Sequence, residues 1–432
     1  TGGALLAGDS HRLPDTPNVY YQNQITCPEF DVIGLSFAGL PGFHHFGHNG
    51  HVAWCVTHTA ADYQDLFLER FNPTDTSQYE FKGEWIEAKA KTERLKVRGA
   101  PSSQISIVET HHGPVVFGDP RSGHAMAIRY TATVEPGRWP EAILKEMLAV
   151  DVDEFEAAQS DWVDPCNNLV SADVHGNISY LMRGKLPVRS RANAWAPVPG
   201  WNGQHEWESH VPFTEAPRSR NPEQGYLVTA NNRVIGTEYP HYIAVDFVPD
   251  FRARALNERL GPLAEATVSD MESLHATRQS LLAKQIVPFL VALKHDGLPE
   301  AEAQVHLASW DFSMDRDAIA PTIYSSVLTE LVRLVSSQLV GPELTTEALG
   351  GSGKGSGAYT RTLRRLIGRD IEANDTALTG GSDWNEIMKA ALSAGITRLR
   401  SLLGNDQTSW KWGELHRTRH AHPLSSAFPE SA

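Results

Sequence analysis

The chain has 432 residues, 41% of them hydrophobic and 9% aromatic, with 38 Lys and Arg against 52 Asp and Glu for a formal charge of −14. That length allows two or three ordinary domains or one large elaborated domain, and the apolar content is ample for a buried core, which excludes global disorder. The acidity, with no basic stripe to offset it, excludes nucleic acid as a partner, and no apolar run is long enough to span a bilayer. Three cysteines, Cys27, Cys55 and Cys166, are too few for a disulfide framework. The chain opens on Thr1 rather than Met and stops at Ala432 without a closing element, which reads as a piece cut from a longer protein.

The first 260 residues read as β-rich. Short apolar or alternating runs at 4–7, 32–37, 51–57, 105–109, 114–117, 125–130, 178–183 and 225–230 alternate with turn signals. His175-Gly176-Asn177 is the turn of a hairpin between Asp173 and Tyr180. A helix is expected over 139–149 and on through 152–161, because Ile143, Leu144, Met147 and Leu148 share one face.

Beyond residue 261 the pattern turns helical. Ser269 and Glu272 have the spacing of a capping box, and helical periodicity runs through 281–294, 319–338, 359–371 and 383–403. The Gly-Ser-rich stretch at 350–357 reads as a flexible loop; Lys354 is followed by Gly355 rather than Ser or Thr, so it is no phosphate loop. The division expected is a β-rich core at 1–260, a mostly helical region at 261–400 and a return to the core at 401–432.

Several polar motifs fall in order along this frame. The most informative is Gly47-His48-Asn49-Gly50-His51 leading to Trp54, Thr57 and His58, followed by Asp62-Tyr63-Gln64-Asp65. Before it lies Gly8-Asp9-Ser10-His11; after it come Thr229-Ala230-Asn231 and Phe251-Arg252-Ala253-Arg254. Taken singly, each has an ordinary reading as a turn, a strand end or a solvated ion pair. Together they resemble the β-subunit of the penicillin acylase family of N-terminal nucleophile hydrolases.

That resemblance implies an α+β fold, a four-layer αββα sandwich with a mostly helical insertion. It also implies a chemistry with no Ser-His-Asp triad. An α-amine titrates near pH 7.7–8.0, so it can activate the hydroxyl of its own residue, and the site then needs only an oxyanion hole and groups that position the amine. By the family pattern the backbone N–H of His58 and the side-chain amide of Asn231 are the oxyanion donors. His11 lies beside the nucleophile, and Arg252, with Arg254 as the competing position, steers the substrate. The nucleophile itself, a Ser at the start of the mature β-subunit, would precede this sequence, since Thr1 is too close to His11 for the family spacing.

Calcium is implied by the same pattern. Asp62 and Asp65 supply carboxylates, and Gln64 and Pro187 supply carbonyls, a hard oxygen set suited to Ca²⁺; a further Asp of the family pattern falls on Ile243. The implied enzyme is an amidohydrolase that cleaves the acyl amide of a β-lactam side chain or an N-acyl homoserine lactone. It would be processed from one precursor, paired with an α-subunit, and periplasmic or secreted. Two readings of other classes stay open on residues alone: a calcium-stabilised binding module without catalysis, and a metallohydrolase built on His44, His45, His48 and His51.

Overall fold

The computed structural model describes residues 3–295, 297–350, 356–418, 420–425 and 427–428. Thr1 and most of the Gly-Ser-rich stretch, 351–355, lie outside them. Two compact units divide the chain: 3–8 with 20–247, and 9–19 with the residues from 248 onward.

The first unit contains two large sheets. The seven-stranded sheet runs, in spatial order, through Tyr20–Thr26, Asp31–Phe37, Phe46–His48, Val52–His58, Asn167–Asp173, Ile178–Arg183 and Arg218–Arg220. Its pairings are antiparallel, and the register sets His58 opposite Asn167 and Asp173 opposite Val52. The six-stranded sheet runs through Val198–Pro199, Gln64–Arg70, His124–Tyr130, Gly113–Asp119, Ser103–Thr110 and Lys89–Leu95. Helices Trp139–Leu148 and Val152–Ala158 cover one face of the seven-stranded sheet, burying Ile143, Met147 and Phe155 against Val32, Val52, Trp54 and Leu169. Each such side chain, fully buried, contributes about 1.5–3 kcal/mol. The second of these helices starts where it does because the Asp151 carboxylate accepts from the N–H groups of Asp153 and Glu154.

In the sequence motif at 47–54, three residues have a clear structural role: Asn49, Trp54 and Gly47. Asn49 donates to the carbonyls of Met147 (3.1 Å) and Ala149 (2.7 Å) and accepts from the N–H groups of His51 and Val52, so one amide ties the end of a helix to the start of a strand. Trp54 is buried and donates its indole N–H to the Phe43 carbonyl at 2.7 Å. Gly47 lies under the Trp54 ring, where a Cβ would come within 2.7 Å of Cζ2.

Helices build the second unit: Phe251–Leu260, Val268–His275, Leu281–Ala292, Leu298–Ala308, Ala320–Ala348, Gly357–Ala373 and Trp384–Leu403. Ile286, Leu290, Ile323, Val327, Leu331, Ile367, Ala391 and Leu392 meet in one core with Trp410. The long helix at 320–348 is broken at Gly341, whose φ of 80° is followed by Pro342. Residues 9–19 belong to this unit, and the Thr16 N–H donates to the Ala421 carbonyl at 3.1 Å.

Three sequence expectations are corrected. Residues 4–7 and 225–230 form no strand: side chains take up backbone groups there, Cys55 at the Ala7 carbonyl, Gln224 at the Tyr226 carbonyl and Asn232 at the Ala230 N–H, and Thr229 is held by Thr57. The capping box is Thr267 with Asp270, not Ser269 with Glu272: the Thr267 hydroxyl accepts from the Asp270 N–H, the Asp270 carboxylate returns the bond at 2.8 Å, and Ser269 already lies inside the first turn. No helix among the described residues is long and apolar enough to cross a membrane.

Candidate active site

Strand Val52–His58 carries the first candidate residue, His58, at its end. Next to it, a chain of polar side chains fixes the segment that bears Asn231. The Tyr180 hydroxyl donates to Asn168 (2.8 Å), Asn168 donates to the Thr57 hydroxyl (3.1 Å), and the Thr57 and Thr229 hydroxyls lie 2.6 Å apart. Asn231 then places its side-chain Nδ2 2.9 Å from the His58 carbonyl. Its backbone is left-handed, φ 66°, a conformation that Asn tolerates better than most residues. His58 uses its own ring to cap the turn that follows: Nδ1 accepts from the Ala60 N–H at 3.0 Å. The two residues assigned to the oxyanion hole are therefore brought together within the first unit.

His11 and Arg252 belong to the second unit and share a partner. His11 Nε2 lies 3.5 Å from Asp9 Oδ2; burial pushes Arg252 below its ordinary value, with the Asp9 charge opposing and Arg361 adding to the fall. Arg252 sits in the first turn of Phe251–Leu260, where Ala253 alone is buried.

Asp164, to which sequence reasoning gave no role, lies beside the His58 end of the strand. It accepts the Tyr130 hydroxyl at 2.5 Å, and burial pushes its carboxyl above the ordinary carboxylate range, against that bond and the nearby His58. The cis Asp164-Pro165 motif was visible in the sequence, but its proximity to His58 depends on the Asn167–His58 pairing. The cysteines are not candidates for the nucleophile. All three thiols are free, Cys55 and Cys166 are buried, and burial pushes Cys55 up to about 12.

The turn expected to bind calcium brings its acids together around a cation that the sequence reading overlooked. Arg189, two residues after Pro187, has its side chain wholly buried; it lies 2.5 Å from Asp65 Oδ2 and 3.0 Å from Asp62 Oδ2. Asn193 and Trp207 also donate to Asp65 Oδ2, and Tyr242 donates to Asp62 Oδ2. Burial works against the charge on Arg189, yet Asp65 and Asp62 hold it firmly cationic. Burial likewise pushes Asp62 up, with Arg189 opposing. Every donor reaching these two carboxylates lands on Oδ2, and Asp65 Oδ1 is buried with no donor, as is Asn193 Oδ1. Two carboxylates against one guanidinium leave a net negative charge and unclaimed oxygens, which fits a hard cation. Gln64 pairs with Tyr130 and Pro187 with His210 in their sheets. Ile243 is buried among apolar neighbours, and its contribution to the turn is a carbonyl that accepts from the Asp62 N–H at 2.8 Å.

His44, His45, His48 and His51 do not converge: no three of them form a metal-ligating group among the described residues. His44 and His45 are instead buried beside Phe37, with Tyr20 bonded to His45 Nδ1 at 2.7 Å.

Two sheets and their helical layer form a mixed α+β fold, and its structural neighbour identifies it as the fold of the N-terminal nucleophile hydrolases. The structure superposes on a thermostable penicillin G acylase from Alcaligenes faecalis with a TM-score of 0.75 at 24% identity, covering 92% of this chain and 75% of that one. The family model described as Penicillin amidase matches residues 1–431, and the chain belongs to that family. Among curated relatives, it is 36% identical to the penicillin acylase 2 proenzyme of a Pseudomonas species, over 99% of this chain and 54% of that protein. It is 28% identical to the acyl-homoserine lactone acylase QuiP of Pseudomonas fluorescens, over 96% of this chain and 53% of the relative. The chain thus spans about half the length of the curated relatives it matches.

Proposed function

We propose that this chain is the larger part of an amidohydrolase that cleaves the acyl amide bond of a small molecule, and that it works through an acyl-enzyme. The observation that carries the reading is the Asn231–His58 pairing in a chain that matches the penicillin amidase family from end to end. The hydroxyl of an N-terminal Ser, upstream of Thr1, attacks the amide carbonyl while its α-amine takes the proton. The His58 N–H and the Asn231 amide hold the oxyanion, the amine product leaves with the proton, and water releases the acid. His11 holds the α-amine, and Arg252 steers the substrate. The candidate substrates are penicillin-type β-lactams and N-acyl homoserine lactones, the compounds named in the relatives' descriptions.

The same reading includes processing from a proenzyme, an α-subunit partner and a periplasmic or secreted location. It also includes a structural Ca²⁺ held by Asp62, Asp65 and the Gln64 and Pro187 carbonyls; the unclaimed Oδ1 atoms support this, and the ion takes no part in the chemistry. The test is an assay of free amine released from a phenylacetylated β-lactam and from an acyl homoserine lactone by the product of the full gene. Release from either substrate, abolished when Asn231 is replaced, supports the proposal. Absence of release from both, in folded protein, overturns it.

A further inference from the structure

Away from the residues above, the six-stranded sheet gathers a second polar cluster. The turn between Ser103–Thr110 and Gly113–Asp119 holds His111 and His112 side by side, their ring centroids 3.8 Å apart. Glu206, from the segment after Val198–Pro199, reaches both: its Oε1 lies 2.8 Å from His112 Nε2 and 3.6 Å from His111 Nε2. The ligand atoms of these three residues lie within 4.8 Å of one another, and no other group of three His, Cys, Asp or Glu does so among the described residues.

The remaining ring nitrogens are held from behind. His112 Nδ1 is 2.7 Å from Glu69 Oε1, which also accepts the Thr110 hydroxyl at 2.7 Å. His111 Nδ1 is 3.0 Å from the Tyr79 oxygen, which also accepts the His111 backbone N–H. Phe67 stacks on the His112 ring at 3.7 Å and fixes its plane. An imidazole whose far nitrogen is anchored to a carboxylate or hydroxyl presents its near nitrogen in one orientation, the arrangement found behind histidine ligands of metals. Exposure grades across the cluster: the side chains of His112 and Glu69 are 0% exposed, those of His111 and Glu206 30% and 27%. One side of the cluster therefore faces water.

We propose that His111, His112 and Glu206 bind one divalent transition ion of the zinc class, with Glu69 and Tyr79 orienting the two imidazoles and water completing the coordination. Two imidazoles and one carboxylate suit such an ion rather than Ca²⁺, which takes six to eight oxygens. A tetrahedral ion with bonds of 2.0–2.1 Å separates its ligand atoms by roughly 3.3 Å, so the His112–Glu206 contact opens by about half an ångström while the His111–Glu206 spacing already suffices. The ion would tie the 200–207 segment to the turn at 111–112. That segment also carries Trp207, which donates to Asp65.

The experiment is a titration of the chelator-treated full-length protein with Zn²⁺ alone, by calorimetry in Ca²⁺-containing buffer, alongside Co²⁺ followed by visible absorption. The proposal expects one ion per protein and a four-coordinate Co²⁺ spectrum, with affinity weakened in His111→Ala and Glu206→Gln by more than the roughly 10–100-fold that loss of a residue behind a ligand costs; both side chains are partly exposed, and folding is checked by circular dichroism. Zinc-edge X-ray absorption of the wild-type protein gives a readout that needs no variant: two imidazoles in the coordination shell are expected. No stoichiometric binding, a shell without two imidazoles, or binding unchanged in both folded variants overturns it and leaves Glu69, His112 and Glu206 as an ion-paired cluster only.

Discussion

The side-chain amide of Asn231 donates to the main-chain carbonyl of His58 across 2.9 Å, joining two residues 173 positions apart in the chain. An amide nitrogen has two protons, and the bond to the carbonyl fixes the orientation of the group. Replacing Asn231 by Ala removes the donor and is expected to lower turnover roughly 100-fold or more with the fold intact. Because position 231 has φ 66°, Asn231→Gly is the companion variant: it removes the same donor without a Cβ in the left-handed region. Steady-state rates of both should fall together; near-normal turnover in Asn231→Gly would refute the oxyanion role.

Arg189 is the partner that allows two acids to lie in the turn at 62–65. Asp65 is 2% exposed, so removing the guanidinium strands a buried carboxylate. Arg189→Leu is expected to cost about 3 kcal/mol, near the lower end of the range for broken buried pairs because Asn193 and Trp207 still donate to Asp65. Chemical denaturation measures it, and a change under about 0.5 kcal/mol, the size of an ordinary surface substitution, would contradict the assignment.

Calcium removal follows from the same turn. A chelator should lower the melting temperature, and Ca²⁺ alone should restore it; at a hundredfold excess over Kd the stabilisation is about 2.7 kcal/mol. In Asp62→Asn the Ca²⁺ dependence should shrink or vanish. A melting temperature indifferent to Ca²⁺ in the wild-type protein would exclude the ion.

His44 sets an acid limit on stability. Burial, with help from Arg183, pulls its pKa down from 6.5 to about 4, and neither ring nitrogen has a partner. Between these values the unfolded chain binds a proton that the folded one does not, so this contribution to stability is fully present above pH 6.5 and is lost as the pH falls towards 4. Integrated over the window it amounts to about 3 kcal/mol. Unfolding free energies from pH 7 to 4 should fall less steeply in His44→Phe than in the wild type; parallel slopes would contradict the reading.

How far the sequence revealed all this depended on the range of each interaction. Asn49 and Trp54 stood out because their signature is short and their bonds go to backbone nearby in space, so the residue types themselves matter. Strand Lys89–Leu95 did not stand out: its side chains are mostly exposed on both faces, which erases the alternation that marks a half-buried strand. Segment 226–231 misled in the opposite direction, since its composition is strand-like but its holding bonds come from the Thr57–Thr229 and Asn231–His58 contacts. Arg189 sat in plain view beside Pro187. Only the fold shows that its partners are Asp62 and Asp65, more than 120 residues earlier.

The central claim is acyl transfer through an N-terminal nucleophile, and peptide mass mapping of the full gene product, quenched during incubation with an acyl amide, tests it most directly. The account predicts a processed chain containing this sequence, with the acyl mass on its N-terminal Ser. An uncut precursor, or an acyl group carried on any other residue, would contradict it.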